Sequence, residues 1–166
     1  MENALIEMLV KAKTTQKGWM CRVLGITLTI LCVFVMLIVG PLGLLLAFLF
    51  GYLTYKVWQL TDIEYEYSYF GGEVTIDKIM GQEKRKRMIE FALNECEAAG
   101  YEDSEKLAYY KNNKFEVLDL TTGEAGHRRF LAVLCKDGKQ RKIYFEPDEK
   151  MVQAMKNIAP NIVSVR

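Results

Sequence analysis

Between Arg22 and Lys56 the chain runs 33 residues without a charged side chain, interrupted near its middle by Gly40-Pro41. A hydrocarbon core ~30 Å thick is crossed by ~20 residues of helix. A straight helix of 33 residues would reach ~50 Å at ~1.5 Å per residue, too long for one comfortable crossing. Split at the Gly-Pro pair, segment 19–60 reads as a transmembrane hairpin with spans at about 20–39 and 42–60. One long tilted helix is the competing reading, because Gly and Pro are tolerated inside spans. A cleaved signal peptide fits less well. Its apolar core is ~7–15 residues, and no persuasive small-residue cleavage site follows this run.

The flanks orient the hairpin. Trp19 precedes the first span, and Tyr52, Tyr55 and Trp58 close the second. Such rings prefer the headgroup level, so Trp19, Arg22, Tyr55, Lys56 and Trp58 are the expected interface anchors. Lys11, Lys13, Lys17 and Arg22 precede the run and Lys56 ends it, while the central turn is uncharged. Segments rich in Lys and Arg stay cytoplasmic, which predicts a multi-pass cell-membrane protein with both termini cytosolic.

From Thr61 onward there are 17 Lys or Arg against 19 Asp or Glu. Nucleic-acid-binding domains carry a strongly basic face, so this balance argues against that class. Residues 61–166 are enough for one compact soluble domain. The four cysteines, Cys21, Cys32, Cys96 and Cys135, form no CxxC pair, and the single His127 has no cysteine near it in sequence. No metal site or cofactor is expected from such spacing. A Cys96–Cys135 disulfide is compatible with the spacing, but a cytosolic domain keeps its thiols reduced. Cys135, inside Leu131-Ala132-Val133-Leu134-Cys135, reads as ordinary apolar packing. Cys21 beside the membrane is at most a weak palmitoylation signal.

Segment 1–18 is a cytosolic N-terminal stretch that reads either as an interfacial helix or as a frayed tail. Leu5, Ile6, Leu9 and Val10 are near helical spacing, with lysines for the headgroups. Residues 63–70 alternate apolar and polar, as a half-buried strand does. Gly71-Gly72 is a two-residue hairpin turn, and 73–79 is the return strand. Residues 81–83 turn the chain again into 84–93, completing a three-stranded meander. Residues 94–110 are mixed and hold either a short strand near 98–101 or a helical turn. Strands follow at 115–120, 129–136 and 139–145, the last two joined by Asp137-Gly138 as a type I′ turn. Pro147 and the acids around it start a helix that runs on through Met151, Val152, Met155 and Ile158 to Pro160. The count is about seven strands and one closing helix.

Tyr65-Glu66-Tyr67 through Phe70-Gly71-Gly72-Glu73, the strand 74–79, and the basic stretch Lys84-Arg85-Lys86-Arg87 come in an order that resembles the pleckstrin-homology-like (PH-like) fold. Lys139-Gln140-Arg141-Lys142 and Phe145 through Met151 extend the match. More narrowly, the chain resembles uncharacterised bacterial membrane proteins that carry a PH-like domain behind two spans. The resemblance implies an α+β protein: a transmembrane helical hairpin, then an antiparallel β-barrel or sandwich of about seven strands with a C-terminal helix. The acidic stretch 94–106 is longer than the connection such domains often have.

No GxSxG elbow, HExxH, Walker A loop or dinucleotide glycine fingerprint is present. His127, in Gly126-His127-Arg128-Arg129, reads as a solvated residue where a loop meets a strand. It is the only histidine available as a base, so no enzyme is expected. The basic groups admit two readings. Lys84, Arg85, Lys86 and Arg87, like Lys136, Lys139, Arg141 and Lys142, can cover a polar sheet face and guard its edges. Alternatively, Lys84, Arg85, Lys86 and Arg87 contact anionic lipid or a protein partner, a short tether keeping them near the bilayer. Glu73, Glu83 and Glu90 dilute the patch. The function expected is a membrane-anchored, non-enzymatic interaction or scaffold module with a protein partner at or in the membrane. The competing reading is an accessory subunit of a membrane complex that makes its contacts through the hairpin.

Overall fold

The computed structural model describes residues 5–111, 113–136 and 139–165. In chain order these form β1 (Ile6–Lys11), α1 (Gln16–Val39), α2 (Pro41–Thr61), β2 (Ile63–Phe70), β3 (Glu73–Met80) and β4 (Lys84–Ala92). Then come β5 (Cys96–Tyr101), α3 (Glu105–Lys111), β6 (Glu116–Asp119), β7 (Phe130–Lys136), β8 (Lys139–Phe145), α4 (Glu149–Ile158) and β9 (Val163–Ser164). Two compact units result. A helical unit holds Lys13–Glu64 with Ile79–Arg85, and a β unit holds the rest.

In the helical unit both helices are long and apolar enough to cross a membrane. Gly40, at φ 73°, ends α1 with its N–H on the Met36 carbonyl at 2.9 Å. Pro41 then opens α2 at a position where no N–H is needed. The helices meet through small residues. A Cβ added at Gly25 would lie 2.8 Å from the Thr54 hydroxyl, and one at Gly43 would overlap the Met36 backbone. The Thr29 and Thr54 hydroxyls are 3.2 Å apart. Close backbone approach with hydroxyl contacts is how helices associate where burial from water provides no drive.

The β unit is built from two sheets, ordered β1-β2-β3-β4 and β6-β8-β7-β5-β9. They share one core, in which Tyr67, Val74, Ile76 and Phe91 of the first sheet meet Phe130, Ala132, Ile143 and Phe145 of the second. Phe145 anchors it, edge-to-face with Phe130 at 5.2 Å and with Tyr67 at 5.8 Å. The Tyr67 hydroxyl donates to the Leu120 carbonyl at 2.7 Å, so the buried ring brings its polar tip a partner.

The α+β class with N-terminal helices is as expected, but the sheets do not close into a barrel. After β4 a short 3-10 turn, Leu93–Glu95, carries the chain to the second sheet. There β5 pairs with β7 and β9 rather than with β4. Among the described residues nine strands form instead of about seven. One addition corrects the reading of the N-terminus: 6–11 is a strand, not an interfacial helix or a tail. Ile6, Met8 and Val10 alternate and pack on the core, whereas Leu5 and Leu9, which completed the helical pattern, are exposed. The other addition, β9, pairs parallel to β5, and Gly100 lies against Ser164 where a Cβ would overlap its carbonyl.

In the mixed stretch 94–110 both a strand, β5, and a helix, α3, form. Leu107 of α3 joins Leu131, Val133 and Tyr144 in a second cluster on the outer face of the second sheet. With Phe130, Ala132 and Leu134 in the main core, β7 is buried on both faces, which accounts for its unbroken apolar run. The closing helix is capped by Asp148, whose Oδ1 accepts the Met151 N–H at 2.8 Å, so Pro147 precedes the cap instead of lying in the first turn. Met151, Val152 and Met155 are buried as expected, but Ile158 is 51% exposed. The Asp137-Gly138 turn lies outside the described residues.

Candidate functional site

The expected anchors collect at the outer ends of the two helices. Arg22 donates from Nε to the Thr61 hydroxyl at 2.6 Å and stacks on Trp58 at 4.6 Å. Its Nη2 is buried without a hydrogen-bond partner among the described residues. Lys56 donates to Gln59 Oε1 at 3.0 Å and lies 5.8 Å from the rings of both Tyr52 and Tyr55. Trp19, Tyr52, Tyr55 and Trp58 are exposed. Cationic heads held over aromatic faces at the end of an apolar helix suit a boundary between apolar and polar surroundings.

The β3–β4 turn belongs to this same unit. Gly81 and Gln82 have φ of 59° and 60°, and the Glu83 N–H reaches the Met80 carbonyl at 3.3 Å, the pattern of a type I′ turn. Gly81 also donates to the Asp62 carbonyl at 2.8 Å. A Cβ there would lie 2.9 Å from Gln59, so only glycine lets this turn settle on the end of α2. Lys84 follows immediately, exposed.

The four-cation run is less uniform than its sequence. Successive strand residues point to opposite faces, which separates Lys84 and Lys86 from Arg85 and Arg87. Arg87 is committed to acids, at 2.6 Å from Glu90 and 3.3 Å from the largely buried Asp77. Arg85 also has an interaction partner. Lys84 and Lys86 have none among the described residues. In the later basic hairpin Arg141 pairs with Glu116 at 2.7 Å, and buried Lys142 donates to the Asn113 carbonyl at 2.9 Å. The Lys136 and Lys139 side chains lie outside the described residues.

Sequence reasoning missed a second constellation. His127, expected to be solvated, has Nδ1 3.3 Å from Glu146 Oε2 and Nε2 3.7 Å from Glu124 Oε2. Glu146 is buried and also accepts the Thr122 N–H at 3.3 Å. An open cavity of about 440 Å³ lies alongside, lined by Met8, Val10, Tyr101, His127, Arg128 and Glu146 among others. Arg128 stacks on Tyr101 at 3.8 Å and grips both oxygens of Asp103. A nucleophilic relay needs the hydroxyl and the acid on different ring nitrogens. Here the Thr122 hydroxyl, at 3.5 Å, and Glu146 both face Nδ1, so the cluster serves as a clasp between the 122–127 loop and the end of β8. No local sequence signal marks it, because Glu146 is 19 residues from His127. Cys135, expected to pack among apolar residues, is exposed, whereas Cys96 is buried; all four cysteines are free.

A family model described as "Bacterial PH-like domain (DUF6106)" matches residues 2–165. No curated protein and no solved structure matches the chain.

Proposed function

The chain belongs to the bacterial PH-like domain family, and from that premise we propose that it is a membrane-anchored, non-enzymatic interaction module. Its two apolar helices cross the bilayer as a hairpin, both termini are cytosolic, and the PH-like domain offers a docking surface to a protein partner at the inner face. One observation carries this reading. β1 precedes the helices, β2 follows them, and the two strands are neighbours in one sheet. A chain that leaves a sheet, crosses a membrane and returns to the same sheet crosses an even number of times. Support comes also from the flanking lysines and aromatic rings.

Reporter domains fused at the N-terminus, at Gly40 and at the C-terminus test it in intact cells. Cytosolic signals from both termini and an external signal from Gly40 are expected. Termini on opposite sides would exclude the hairpin, and a chain extracted by alkaline carbonate would exclude the anchor. Crosslinking in native membranes followed by mass spectrometry then identifies the partner.

A further inference from the structure

The end of α2 and the β3–β4 turn enclose a cavity of about 150 Å³, lined by Lys56, Gln59, Leu60, Met80, Glu83 and Lys84. We propose that it seats the phosphate of an anionic phospholipid headgroup, with Lys56 and Lys84 as the two cations. The inference rests on the membrane reading above and adds to it a particular lipid contact.

Several features converge on that ligand. The cavity adjoins the Tyr52, Tyr55 and Trp58 end of an apolar helix, the level at which headgroups lie if the helix spans. Its volume is several times what one water requires, leaving room for a phosphate and bridging waters. Lys56 uses one of its three ammonium protons on Gln59, so two remain for an incoming oxygen. Gln59 donates one amide proton to the Tyr55 hydroxyl at 3.1 Å, which fixes the amide and leaves its other proton available. Lys84 has no partner among the described residues and is held at the rim by the docked turn, through Gly81 on Asp62 and Gln59. The apolar part of the lining, Leu60 and Met80, suits the glycerol and upper acyl region. Glu83 opposes the two lysines, so removing its charge strengthens the seat.

The test uses the full chain, purified in detergent and equilibrated with equimolar phosphatidylglycerol and phosphatidylcholine. Retained lipid is counted by native mass spectrometry. The parent is expected to retain phosphatidylglycerol about fivefold over phosphatidylcholine, two cations being near the headgroup. That preference should fall towards parity in the Lys56→Gln/Lys84→Gln double variant, and a Lys150→Gln control should keep it. Glu83→Gln should raise the preference, a gain that misfolding cannot imitate. Glycerol 3-phosphate at the same concentration should not displace the lipid, which separates a lipid seat from a soluble phosphate site.

Equal retention of the two lipids by the parent overturns the proposal. So does a double variant with the parental preference, a Glu83→Gln variant without a gain, or displacement by glycerol 3-phosphate. If the proposal fails while the chain still resists carbonate extraction, the membrane reading stands and only the lipid seat is lost.

Discussion

The two units arrange their side chains in opposite senses. In the β unit the largest residues lie inside: Tyr67, Phe130, Phe145 and Met155 are all 0% exposed. In the helical unit the small residues lie inside, with Gly25 against Thr54 and Gly43 against Met36. Its large residues face out, Leu37 at 75% and Ile38 at 86% exposure. The β unit is held by removing apolar surface from water, a force that needs water outside. The helical unit gains little that way if lipid surrounds it, and relies on close fit and hydroxyl contacts. The same apolar composition therefore performs different tasks, and the sensitive substitutions differ accordingly.

The largest effect is expected from Met155→Asp. It places a charge in a site with 0% exposure, an expected cost of about 4 kcal/mol or more. In the full chain the β unit should lose its cooperative melt while the helices still resist carbonate extraction. A melt within a degree or two of the parent would show that α4 does not plug the core.

Gly43→Leu should act on the other unit, at about 3 kcal/mol for overpacking against the Met36 backbone. The measurement is disulfide formation between cysteines replacing Thr29 and Thr54, whose hydroxyls are 3.2 Å apart. Crosslinking should drop several-fold with the β-unit melt unchanged. Unchanged crosslinking would mean that small residues do not set the helix spacing.

The smallest effect concerns dryness. Burial first, and the Glu95 charge second, push the Cys96 thiol from 9.0 up to about 12. Well below pH 9 the thiol is protonated in both folded and unfolded chains. As pH rises from there towards 12 only the unfolded chain loses the proton, so stability declines across that window. Tyr67, raised by burial and the Glu146 charge, acts in the same direction above pH 10. Denaturant melts of the parent and Cys96→Ala between pH 8 and 11 isolate the cysteine contribution. Equal slopes in the two proteins would mean that water reaches the thiol.

Which features were legible in the sequence follows from the range of the forces involved. Gly40-Pro41, the Gly71-Gly72 turn and the apolar period of Met151, Val152 and Met155 are local signals, and the structure agrees with them. Residues 6–11 satisfied both a helical and a strand period. Pairing with β2, more than fifty residues away, decided between them. The two-residue β9 likewise exists only because β5 offers an edge. At the basic run, composition gave the charges but not their partners. Arg87 is neutralised by Asp77 across the neighbouring strand, while Lys84 is left unpaired by a turn docked on α2. The His127 clasp depends on a carboxylate from another element and has no signature of its own.

The pairing of β1 with β2 also has a temporal side. A ribosome releases β1 first, and the strand has no neighbour until residues 12–62 have followed it. Until then Ile6, Met8 and Val10 lack the core that covers them. Closing a loop of that length as flexible chain would cost a few kcal/mol of entropy, growing only slowly with length. Once α1 and α2 have folded back on each other, both ends of the loop emerge together and most of that search is over. Beyond the anchoring role proposed for it, the helix pair would thus act as a template during synthesis: folding α1 against α2 brings the first strand of the sheet to the second.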